Sequence, residues 1–159
     1  MTTALHALEG SGIGRIMRES LWTYPAVETL HIIGLATVFG SILVVDLRLL
    51  GLSRGVSAVH LTRHALPWTV GAFGLVLATG LLMFTAHVAD FLGNPIFVLK
   101  MSLVVVGAVN AAMLRVGALR SVATWDMGVM PPPRVRVAAA LSIVIWTCVI
   151  ACGRLLAYT

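Results

Sequence analysis

Four stretches of about twenty mostly apolar residues, joined by short polar connections, leave this chain few ways to fold. A helix needs about 20 such residues to cross roughly 30 Å of hydrocarbon. Residues 26–45 qualify, with Glu28 and His31 as their only ionisable groups, and residues 67–86 carry no charge. Residues 96–116 include Lys100 and Arg115, and residues 137–157 include Arg154. Backbone polar groups cannot stay unpaired in lipid, so these stretches are helices or strands of a closed barrel. None alternates apolar and polar residues with period two, which excludes the barrel.

Composition agrees with this reading. Of 159 residues 59% are apolar and 11% charged, and the mean hydropathy is +1.00. Eleven basic and six acidic side chains cannot cover a water-exposed surface of this size. A water-soluble enzyme, a disulfide-stapled secreted module and a nucleic-acid binder are therefore excluded. The sequence predicts an all-α, up-down four-helix membrane bundle forming one transmembrane domain over residues 1–159. Residues 1–24 mix charges with apolar positions near helical spacing, although Gly10, Gly12 and Gly14 weaken a single continuous helix. They are expected to lie along the interface and to end in the Trp22/Tyr24 belt.

Pro67 suits the first turn of the second span, where a missing N–H costs nothing. Asn94-Pro95 marks the turn before the third, and Pro131-Pro132-Pro133 stiffens the link into the fourth. Arg48, Arg54 and Arg63 follow the first span, while Arg115, Arg120, Arg134 and Arg136 follow or border the third. Positive residues stay in the cytoplasm, so both termini are expected in the periplasm of a bacterial inner membrane. Cys148 and Cys152 stand four residues apart in one span, a poor geometry for a disulfide.

Ionisable groups inside spans mark a function or a tight internal pair. Glu28, His31, Lys100 and Arg154 lie towards the outer side, with His87 just past the second span. Asp46, Arg48 and Arg115 lie towards the inner side, with Asn110 a turn deeper. The plain reading of the outer group is a polar network in which Glu28 pairs with Lys100 or Arg154 and His31 bonds beside it. One acid against two permanent cations also leaves room for an anion there, such as a haem propionate, a substrate carboxylate or a lipid phosphate, or for a quinone oxygen.

Haem gives the sharper expectation. Four-helix membrane cytochromes ligate iron with histidines from two helices, and small residues admit the macrocycle. His31 with Gly34, and His87 with Gly80 and Met83, form the candidate haem b site, with Lys100 and Arg154 holding propionates. The second span must then continue to about Asp90. Copper could use His31, His87, Met83, Met101 or the cysteines, although no compact ligand motif is present. His60 and His64 lie in the basic inner connection. No phosphate loop, HExxH motif or hydrolytic triad occurs, so an enzymatic role is disfavoured. The leading expectation is a small redox or ligand-binding subunit. Its rivals are ion or small-molecule transport with Glu28 and Asp46 as proton relays, and a structural anchor. Small residues such as Gly40, Gly71, Gly74, Gly107 and Ala108 favour a homo-oligomer or a subunit role in a membrane complex, with the lipid bilayer the other partner.

The run Arg18-Glu19-Ser20-Leu21-Trp22-Thr23-Tyr24-Pro25, then Glu28, His31 and Gly34, leads into Asp46-Leu47-Arg48-Leu49-Leu50-Gly51. Leu66-Pro67-Trp68, Thr79-Gly80, Phe84, Asn94-Pro95-Ile96-Phe97, Lys100, Trp146 and Gly153-Arg154-Leu155-Leu156-Ala157-Tyr158 follow. Together they resemble a bacterial family of four-helix inner-membrane proteins of unknown function, DUF6644, over nearly the whole chain. The resemblance implies the architecture and no activity. Glu28, His31, Asp46, Arg48, Lys100 and Arg154 fall on its pattern, whereas His60, His64, His87, Cys148 and Cys152 do not. It thus implies that His31, as a haem ligand, would need a partner other than His87.

Overall fold

The computed structural model describes residues 9–158, apart from the side chains of residues 118–120. A short helix, α1 (Gly12–Glu19), precedes α2 (Thr23–Leu49) and α3 (Ala58–Ala86). The one-and-a-half-turn α4 (Val88–Gly93) leads into α5 (Pro95–Val116), and a 3-10 helix (Ala118–Thr124) precedes α6 (Pro133–Leu155). Among the described residues there is no strand. α2, α3, α5 and α6 are each long and apolar enough to cross a membrane. At 1.5 Å per residue they extend about 33–43 Å, so all four exceed the hydrocarbon thickness. This is a multi-pass membrane protein.

Local chemistry sets the helix starts. Asn94 Oδ1 accepts from the Ile96 N–H, with Pro95 at the first helical position of α5. Pro133 opens α6 in the same way, four residues before the predicted span. The second span departs most from expectation. Ser57 Oγ accepts from the His60 N–H, so α3 starts at Ala58 and Pro67 lies inside it. Ala58, Leu61, Thr62, Ala65 and Leu66 turn inward there, while His60, Arg63 and His64 are exposed. The inner histidines thus stand on a helix. The membrane-sized window began at Pro67 only because this first stretch is amphipathic.

The helices pack up-down, with the longest seams between α2 and α3 and between α5 and α6, and a shorter one between α2 and α6. α3 and α5 do not pack along their lengths. Their meeting point is a clasp of Phe84, Phe91 and Phe97, whose ring centres lie 5.3–6.1 Å apart. α1 lies across the same end of the bundle. It buries Gly14 and Met17, and Arg18 donates to the Ala86 carbonyl. The expected N-terminal amphipathic helix therefore spans residues 12–19, and residues 1–8 fall outside the described residues.

Two close approaches use glycine. A Cβ on Gly34 would lie 2.8 Å from Val76 of α3, and one on Gly107 would lie 3.2 Å from both Ile145 and Trp146 of α6. At mid-height Val38, Ile145, Trp146 and Val149 are buried, with Phe73, Val76, Leu103 and Val104 packed around them. A second cluster, Leu49, Ala58, Trp125, Val135 and Ala139, closes the end away from α1. The mid-height layer divides the polar groups of the interior into two sets.

Candidate functional site

Asp46 is the acid that helix α2 carries furthest from solvent. Its side chain is 5% exposed, in the last two turns of the helix. The Ser142 hydroxyl of α6 hydrogen-bonds the carboxyl, while the second oxygen, Oδ2, is buried without a partner. The Thr62 hydroxyl of α3 is buried and unpartnered as well. All four long helices enclose a half-open cavity of about 120 Å³ around these groups, between the mid-height layer and the end away from α1. Ser41 and Thr69, 2.8 Å apart, line it, together with Asn110, whose amide donates to the Ala138 carbonyl. Arg115, exposed, completes the lining from α5. At about 30 Å³ per water, the volume suits a few waters or one small ion.

Arg48 stands two residues beyond Asp46 but serves a different structure. It is 2% exposed, and its Nε donates to the Val56 carbonyl at 2.5 Å while Nη2 donates to the Asp126 carbonyl. Asp126 in turn accepts from the Ser57 hydroxyl at 2.7 Å and the Val59 N–H at 3.0 Å, capping α3 from 67 residues away. The Val59 N–H, helped by Ser57, Ala58 and the Arg48 charge, holds the Asp126 carboxyl below the usual carboxylate range. Arg48 thus ties two connections together and is no solvated loop cation.

The other half of the interior holds His31 and Lys100. His31 Nδ1 lies 2.8 Å from Thr79 Oγ1, and the Thr79 hydroxyl donates to the Leu75 carbonyl at 2.7 Å. With that proton committed, Nδ1–H donates to Thr79 and Nε2 is left as an acceptor. The ring is seated over Gly80, whose missing Cβ would come within 3.2 Å of it. Lys100 Nζ reaches across to Gly153 of α6, 3.4 Å from where a Cβ would stand.

Other expected partnerships do not form. Glu28 is exposed and, among the described residues, has no ion pair with Lys100 or Arg154. Arg154 turns to the hydroxyl of Tyr158, three residues past the end of α6, its guanidinium 4.8 Å from the ring centre. His87 follows the end of α3 and lies 3.5 Å from Asp90 of α4. The helix therefore breaks where a haem pair needed it to continue. His31 meets α3 at Thr79 and Gly80, seven residues or about 10 Å of helix before His87. The two rings are held by different partners, His31 by Thr79 and His87 beside Asp90. The space over Gly34 is taken by Val76 and that over Gly80 by His31. Met83 is half-buried one turn before His87, Cys148 is exposed, and Cys152 is buried. Among the described residues no three His, Cys, Asp or Glu side chains gather to hold a metal.

Sequence reading misses Thr62, Thr79, Ser142 and Asp126. The first three carry no charge to betray them inside a span, and the capping role of Asp126 depends on a contact remote in sequence. The family described as a family of unknown function, DUF6644, matches residues 8–159, and the chain belongs to it. Comparison with curated proteins and with solved structures returns no match.

Proposed function

We propose that this DUF6644 membrane protein handles protons at Asp46 and works in transport. The unpartnered Oδ2 of a carboxyl buried between the helices, one turn before the end of α2, carries the reading. An isolated anion is costly there, and a proton or a small cation on that oxygen supplies what the protein withholds. Ser142 orients the carboxyl, and Thr62, Ser41 and Thr69 offer hydroxyls along which waters can line up. A cavity of about 120 Å³ admits waters and small ions and is well below the roughly 300 Å³ at which organic-ligand pockets begin. Glu28, exposed and remote from this cavity, has no part in it.

Seven arginines stand at or near the end of the bundle where the cavity lies: Arg48, Arg54, Arg63, Arg115, Arg120, Arg134 and Arg136. Arg15, Arg18, Lys100 and Arg154 are the four cations of the other end. We therefore place the cavity on the cytoplasmic side of a bacterial inner membrane, with α1 in the periplasm. Val38, Phe73 and Trp146 form a dry layer between cavity and periplasm, so a proton leaving Asp46 that way waits for this layer to part.

The test is proton flux in proteoliposomes carrying an internal pH dye. The native protein should dissipate an imposed pH gradient faster than protein-free vesicles, and Asp46→Asn should bring the rate to that background. Native flux at background, or undiminished flux in the variant, overturns the proposal.

A further inference from the structure

We propose that Lys100, on the α1 side of the Trp146 layer, forms a second site that takes the anionic headgroup of a membrane amphiphile through a carboxylate or a phosphate. The first argument is a charge inventory. Lys100 is half-buried and, among the described residues, makes no hydrogen bond or ion pair. The chain has six acids, and none answers it. Glu9 accepts from Ala89 beside α4, Glu19 is exposed on α1, and Glu28 is exposed without an ion pair. Asp90 faces His87, while Asp46 and Asp126 belong to the opposite half. A permanent cation withdrawn into a bundle is stable when an anion joins it.

Geometry sets the shape of that anion's seat. Gly153 leaves the space that Lys100 Nζ occupies. The ammonium's three donors remain uncommitted.

Depth selects the source of the anion. Nζ stands at the level of Gly153, two residues before the end of α6, a depth from which a lysine side chain reaches the headgroups. Val98, Leu99 and Met101, which flank Lys100 on α5, are exposed apolar side chains. A cation with apolar neighbours at that depth suits a headgroup followed by a chain.

The full-length protein in a neutral detergent tests this through matched probes, read by native mass spectrometry and by the shift in Tm. Oleate should bind in preference to oleyl alcohol, or phosphatidylglycerol in preference to diacylglycerol, and the pair that responds identifies carboxylate or phosphate. Binding of inorganic phosphate alone would keep the anion site and assign it to a free anion, overturning the amphiphile. Lys100→Gln should weaken anionic binding about tenfold or more. Gly153→Val, which fills the ammonium's seat at unchanged charge, should weaken it too, and Arg154→Gln should leave it intact. Equal binding of charged and neutral probes to the native protein overturns the proposal, as does an undiminished anion preference in Lys100→Gln. Should that variant fail to fold, Gly153→Val decides by the same criterion.

Discussion

Two aspartates show how much a carboxyl's surroundings decide its use. Asp46 sits among helices with one oxygen unanswered, whereas Asp126 has both oxygens engaged by the start of α3. Replacing Asp126 with Ala should cost about 1–2 kcal/mol at neutral pH, through the lost cap and the orphaned donors. The sign of its pH dependence follows from its depressed folded value. The stabilisation is complete above the unfolded carboxylate range, near pH 4, and disappears as pH falls through the folded value. Melting temperatures of native and Asp126→Ala protein should differ at pH 7 and converge in acid, and a constant gap would refute the assignment. Asp46 was legible in the sequence because an acid inside an apolar run is conspicuous. Ser142 and Thr62, its neighbours, are common in spans and gave no warning. The pairing assigned to Glu28 failed for a physical reason: Arg154 finds Tyr158 just past the end of its helix, and Lys100 turns to α6.

At the scale of the helices, existence was legible and limits were not. Hydrophobic length announces a span, but α3 begins where Ser57 and Asp126 cap it, nine residues before the uncharged stretch. Pro67 consequently sits in a helix interior, where it removes one backbone hydrogen bond. Small residues were expected to permit close contact, and they divide sharply. Gly34 and Gly107 face another helix at contact distance, while a Cβ on Gly71 or Gly74 would meet nothing within 4 Å. Gly34→Ala and Gly107→Ala should each cost about 1–3 kcal/mol by overpacking. Gly71→Ala and Gly74→Ala should be nearly neutral in the monomer. Denaturation of the four variants in detergent checks this, and equal losses would mean that the α2–α3 and α5–α6 seams are not the close ones.

For the molecule as a whole, orientation decides which compartment the Asp46 cavity serves. With the arginine-rich end inward, Arg54→Cys in the connection after α2 should react with an impermeant maleimide only in inverted vesicles. Leu21→Cys, exposed before α2, should react only from the periplasmic side. The reverse pattern would turn the cavity outward and leave its chemistry intact. Such an inversion would also carry Arg48 and Asp126 across, since they knit the connections at that end.

The missing seam between α3 and α5 has a consequence for the solvent itself. Between the phenylalanine clasp and the 3-10 helix, α3 and α5 both line the half-open space beside Asp46 without packing on each other, and we expect acyl chains to border it there. Chain length and unsaturation then enter the hydration of a carboxyl directly, so the surrounding lipid is a chemical variable of this protein and not merely its container.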